Sequence, residues 1–300
     1  MPAVRLLGAQ LAIGAAAIFA RFALSGAGPV AVAALRLAIA AVIAIVIARG
    51  FSRLSPRREL AFALAGLALA LHFATWIASL SYTSVAVSTL LVTTTPIWTE
   101  IFDVVRERRA PERTYLVALA LALAGVAIIA LARTSVPAPI PGHALLGDGL
   151  ALFGSVAIGA YLLIVRDAGV TPGTTKRLAT RAIVARTYGW AALTLAAASL
   201  VAHQGPPRAS DVTAWAGILA MALVSQLLGH TALNAALRDF TPSVVALTTL
   251  LEAPIAAILA AAIFHETLSW QAATGAAFVL AGTGVALRRG NDATVTREKT

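Results

Sequence analysis

Glu252 is a carboxylate inside an apolar stretch, nine residues past the stretch's start at 243, and Pro254 follows two positions later. An isolated charge at the centre of a membrane-length helix costs at least about 2.5–3.5 kcal/mol, so such a group is a functional candidate by default. Two chemistries suit it: coupling a proton, or binding a substrate amine. A protonated Glu252 that ties two helices together is the structural alternative. Pro254 frees a backbone carbonyl nearby, and Pro96 punctuates an earlier apolar stretch in the same way.

His72 and His230 also lie in apolar stretches. Histidine titrates near neutral pH and can relay protons, or it can sit neutral and bond across helices. Trp76 follows His72 by four residues and Asn234 follows His230 by four, so each pair shares a helix face. Those two faces, with Trp98 and Tyr161, are the candidate substrate-binding lining. Arg36 and Arg186 are candidate gate or structural residues, expected to meet carboxylates such as Asp239 or Asp103. For Arg186, snorkelling to head groups is the other reading. Pro96 and Pro254 are candidate hinges. Tyr82 and Tyr188 suit the interfacial aromatic belt.

Other chemistries are excluded. With no cysteine, thiolate catalysis and Cys-ligated metal sites are out. No HExxH, GxSxG, P-loop or Rossmann fingerprint occurs, so no enzyme, cofactor or metal site is expected. This chain alone has no means of ATP-driven pumping.

The elements that must hold these residues are membrane spans. Apolar residues make up 59% of 300 and charged residues only 12%, against about 45–50% and 25% in soluble domains. Ten runs approach the roughly 20 apolar residues a bilayer requires: 6–25, 29–48, 59–79, 84–104, 114–132, 146–165, 183–202, 213–236, 243–263 and 270–287. Ser55-Pro56 and Thr241-Pro242 set a capping hydroxyl before a first-turn proline. The expected fold is all-α, ten transmembrane helices in two inverted five-helix repeats. The repeats occupy 1–133 and 146–289, with an external linker at 134–145 and a polar cytoplasmic tail at 290–300.

The net charge of +10 sits in short clusters between spans, which is topological patterning rather than a nucleic-acid footprint. With the N-terminus on one side, that side receives Arg5, the 49–58 and 106–113 clusters, Arg166, Lys176, Arg177, Arg181, Arg238 and the tail. The opposite side receives only Arg133 and Arg208, while Arg21, Arg36 and Arg186 fall within spans. Cytoplasmic loops carry the excess of Lys and Arg, so both termini are expected inside the cell (inner) membrane. The first run exceeds a signal peptide's 7–15-residue apolar core, and its retention is expected.

Spacing also suggests an internal repeat. His72 and His230, Tyr82 and Phe240, Thr83 and Thr241, and Pro96 and Pro254 are each 158 apart; Arg36 and Arg186 match at 150. Five spans per half put the second half in the membrane upside down, the arrangement of alternating-access transporters with a midplane site.

With these residues on the page, the chain resembles the drug/metabolite transporter superfamily, specifically EamA-type ten-span exporters. The resemblance covers nearly the whole chain. It is carried by His72-Phe73-Ala74-Thr75-Trp76-Ile77-Ala78-Ser79-Leu80 into Tyr82-Thr83-Ser84, by Thr93-Thr94-Thr95-Pro96, and by Ala34-Leu35-Arg36. In the second half it is carried by Gly149-Leu150-Ala151-Leu152, Gly229-His230-Thr231-Ala232-Leu233-Asn234, Leu250-Leu251-Glu252-Ala253-Pro254 and His265-Glu266. It implies secondary export of amino acids or related metabolites through a central cavity. In one departure Ala253 separates Glu252 from Pro254, moving the helix break by about 100° around the axis. In another, Glu100 and Asp103 stand where an apolar helix is the rule. The expected partners are a small-molecule substrate and membrane lipid, with a homodimer left open. The rival readings are a translocator of lipids or lipid-linked carriers, and a non-transporting membrane scaffold.

Overall fold

A computed structural model of the chain describes residues 2–50, 53–83, 85–132, 142–170, 177–264 and 270–298. Ser84, Arg133, Lys176, His265, Glu266, Lys299 and the linker from 134 to 141 lie outside the described residues. Within them every regular element is a helix, apart from a single bridge between Val170 and Arg177.

The elements are α1 (Pro2–Gly14), α2 (Ala16–Ala23), α3 (Pro29–Ala48), α4 (Pro56–Ser79), α5 (Val85–Val92), α6 (Thr95–Glu107), α7 (Arg113–Ala132), α8 (Ala144–Gly169) and α9 (Thr180–Val201). Then come α10 (Val212–Ala220), a π-helical stretch (Met221–His230), α11 (Thr231–Ala236), α12 (Pro242–Thr248), a 3-10 turn (Thr249–Leu251), α13 (Glu252–Phe264) and α14 (Trp270–Glu298). Eight helical stretches among the described residues are long and apolar enough to cross a membrane; the apolar part of α7, Arg113–Ile129, is shorter. Large apolar side chains such as Val46, Leu145, Leu200 and Leu228 point outward, which in a bilayer faces hydrocarbon rather than water.

Prolines start several of these helices. Pro56 and Pro242 occupy the first turns of α4 and α12, where a missing N–H costs no internal bond. The Thr241 hydroxyl accepts from the Val244 N–H as expected. Ser55 makes no such bond, so its expected capping role is not realised.

The stretch expected as one span over 84–104 is divided. Pro96 lacks an N–H, and the residues before it, Thr93, Thr94 and Thr95, turn their hydroxyls onto the carbonyls of Thr89, Leu91 and Val92 at 2.7, 2.6 and 2.9 Å. Hydroxyl back-bonding of this kind competes with the helix ladder and bends it. The helix therefore stops at Val92 and restarts at Thr95. The matching stretch around Pro254 takes up its break in the 3-10 turn Thr249–Leu251, and Glu252 opens the next helix.

Packing is symmetric under exchange of the two halves. Helix α3 lies on α9, α7 on α14 and α12 on α6. The pairing of α4 with α8 is mirrored by that of α1 and α2 with the α10–π segment. Small residues permit the closest crossings, as is usual between membrane helices: Gly125 and Gly275 bring the α7 and α14 backbones together, and Gly154 seats α8 against His72 and Thr75 of α4.

Candidate functional site

A buried cavity lies at the junction of the halves, with walls from α1, α3, α4, the Thr93–Thr95 break, α8, the π segment and the Thr249–Glu252 turn. Its volume is about 40 Å³, space for very few waters. Pockets that enclose small-molecule ligands span about 300–1,000 Å³, so a metabolite would enter only if these helices move apart.

Arg36, His72, Trp76, His230 and Glu252 line this cavity together. His72 Nδ1 lies 2.9 Å from the Gly154 carbonyl. A carbonyl only accepts, so Nδ1 carries a proton. The His72 ring stacks on Trp76, four residues on, with centroids 6.3 Å apart. His230 meets Phe73 edge-on at 5.2 Å, and its Nδ1 has no partner. The expected Trp76 face thus reaches the cavity.

The Asn234 face packs differently. Asn234 accepts from Tyr161 OH at 2.8 Å and donates to the His230 carbonyl at 2.8 Å, and neither Asn234 nor Tyr161 is among the lining residues. Trp98 is also outside the lining; it packs against Gly159 of α8. Pro96 and Pro254 border the two helix interruptions without lining the cavity, and the Pro96 carbonyl is held by Tyr115 OH at 3.0 Å.

The two arginines differ in their partners. Arg186 pairs with Glu59 at 3.2 Å, in the first turn of α4, where a carboxylate suits the helix dipole. Asp103 is taken by Arg166 of α8 at 3.2 Å. Arg36 meets no carboxylate: Nε donates to Gln226 Oε1 at 3.0 Å and the guanidinium sits 3.9 Å above the Phe73 ring. Tyr188, expected in the interfacial belt, is fully buried, its OH directed at the Gln226 carbonyl and Thr231 hydroxyl. The π-helical winding of 221–230 displaces the Gln226 carbonyl from the ordinary ladder, which gives Tyr188 an acceptor inside the bundle.

Sequence reasoning passed over Gln226, Phe73, Ser155 and Gln10. Gln10 and Gln226 are amides in apolar stretches, a detectable signal of the same kind as Glu252. Gln10 joins α1 to α12 through Thr248 Oγ1 at 2.9 Å, and Ser155 joins α8 to the α5–α6 break through Thr94 Oγ1 at 2.9 Å.

The arginine-rich end of the bundle is tied across the halves. Arg106 pairs with Asp167, and Arg58 donates to the Ala168 and Gly169 carbonyls at 2.7 and 3.1 Å, a cation at the C-terminus of α8. Arg109 bonds Glu100 at 2.9 Å, and this contact raises its pKa further above the ordinary arginine value.

Membrane-length apolar helices packed symmetrically around a buried cavity define a multi-pass integral membrane protein. The sequence profile of the EamA-like transporter family matches residues 3–131 and again 145–288. The chain belongs to that family, one of transporters rather than enzymes. No curated protein matches the sequence. One solved crystal structure, described only as that of a protein, shares the fold with TM-score 0.75 at 15% identity, over 97% of this chain and 98% of its own.

Proposed function

We propose that the chain is a ten-span secondary transporter that exports amino acids or related small metabolites by alternating access. Its two inverted repeats, 1–133 and 146–289, lie in the inner membrane with both termini cytoplasmic. The linker 134–145 is outside and the tail 290–300 inside. The observation that carries this reading is the shared cavity: repeat mates His72 and His230, with Glu252, converge on one site between the halves.

Helix interruptions at Thr93–Thr95 and Thr249–Leu251 border the cavity from opposite halves, and with Pro96 and Pro254 they are the hinges. Glu252 is the proton-coupling residue. Trp98, Tyr161 and Asn234 support the site through packing and hydrogen bonds, while Arg186 fixes α9 to α4.

Counterflow into proteoliposomes, with labelled amino acids and small metabolites, tests the reading. Uptake of at least one solute above protein-free vesicles is expected, with a dependence on an imposed pH gradient. Silence across the panel from folded protein would reject it. A second reading, lipid translocation, draws on a larger apolar hollow of about 470 Å³ on the outer flank, where Ala44, Ile47, Leu223 and Leu228 meet Arg181. That hollow shares no lining residue with the polar cavity.

A further inference from the structure

Arg36 is 0% exposed, yet only Nε of its guanidinium is used in a hydrogen bond. Nη1 and Nη2 have no partner, and neither does the Trp76 indole Nε1, which belongs to the same cavity. Leaving a buried donor unsatisfied costs about 1–3 kcal/mol, and more for a charged group. Gln226 and Phe73 hold the guanidinium from the side and from below, so it is fixed rather than collapsed onto Glu252. Glu252 lines the same cavity and makes no ion pair among the described residues. The residues that line the cavity thus include a guanidinium with two unpartnered nitrogens, an indole with an unpartnered N–H and one carboxylate.

We propose that Arg36, through Nη1 and Nη2 and assisted by Trp76 Nε1, is the subsite for the carboxylate of a zwitterionic substrate. A guanidinium offers parallel N–H donors matched to the two oxygens of a carboxylate, and such charge-assisted pairs are roughly twice as strong as neutral hydrogen bonds. Glu252, of opposite sign on the same cavity, selects a substrate that also carries an amine over a simple anion. This assignment rests on the transporter reading and gives it a recognition rule: a free carboxylate is required.

Competition in the counterflow assay tests it. For each labelled amino acid taken up, the unlabelled parent, its carboxamide and its decarboxylated amine are compared as competitors. The carboxamide and the amine should compete at least tenfold more weakly than the parent. Arg36→Gln should erase that preference, and Arg36→Lys, which keeps the charge but loses the fork, should retain part of it. Equal competition by all three compounds at the wild-type protein overturns the subsite while leaving the transporter reading intact; this arm needs no variant. Uptake of no amino acid overturns the zwitterion assignment too, and uptake of another solute in that panel would show that transport itself survives. A preference that persists in folded Arg36→Gln, checked by gel filtration, would reduce Arg36 to a structural role.

Discussion

Gly275→Val is expected to lower the stability of the purified protein by about 3 kcal/mol, at or beyond the upper end for overpacking a well-filled interior. A Cβ at Gly275 would sit 2.5 Å from the Gly125 carbonyl oxygen, 2.7 Å from the Ile129 side chain and 3.2 Å from the Ile129 backbone nitrogen. Two of those three neighbours are backbone, so no rotamer change relieves the clash and α7 must withdraw from α14. Denaturant or thermal unfolding in detergent measures the effect. Gly284→Ala in the same helix is the control, because a Cβ there meets nothing within 4 Å, and its stability should be unchanged or slightly raised. Equal behaviour of the two variants would mean that α7 and α14 do not cross as described.

The second large effect is expected at the arginine-rich end. The Asp103 side chain is only 4% exposed and meets Arg166 Nη2 at 3.2 Å, with Arg106 next at 3.9 Å. Arg166→Ala strands that carboxylate, and removing one partner of a buried pair typically costs about 3–5 kcal/mol. The lower part of the range applies, since Arg106 remains. Asp103→Asn, added to Arg166→Ala, should recover much of the loss by removing the stranded charge. If the double variant is no more stable than Arg166→Ala alone, the pair is not what joins α6 to α8. The contact also crosses between the halves, so any motion that parts them at this end must break it.

Much of this architecture was legible in the sequence because the bilayer imposes it. Apolar length located most of the helices, Pro56 and Pro242 marked two starts, and the 158-residue spacing that relates His72 to His230 also relates the two interrupted helices. Hydropathy does not report which way a side chain faces in a helix that is apolar all round. Tyr188 therefore looked like a belt residue, although the π-helical winding of its neighbour provides it with a buried acceptor. For the same reason the sequence leaves Arg36 between a gate and a structural role, since its partners Gln226 and Phe73 come from distant helices. The break in the fourth apolar stretch was readable in part. Three consecutive threonines before Pro96 supply hydroxyls that compete with the helix ladder, and no apolar count registers that competition. Among the lining candidates, His72, Trp76, His230 and Glu252 meet in one cavity, whereas Tyr161 and Asn234 bond to each other outside it; spacing along one helix could not separate those outcomes.

The central claim is that the cavity between the halves opens to each side of the membrane in turn. The natural chain has no cysteine, so Thr249→Cys places a single thiol in the cavity wall without further engineering. Its labelling by a membrane-impermeant maleimide, added first to one side and then to the other of oriented vesicles, is the direct measurement. Modification from both sides, slowed by any amino acid that the protein transports, is the predicted result. Modification from one side only, or from neither while Arg208→Cys, exposed in the α9–α10 loop, reacts, would contradict alternating access at this cavity.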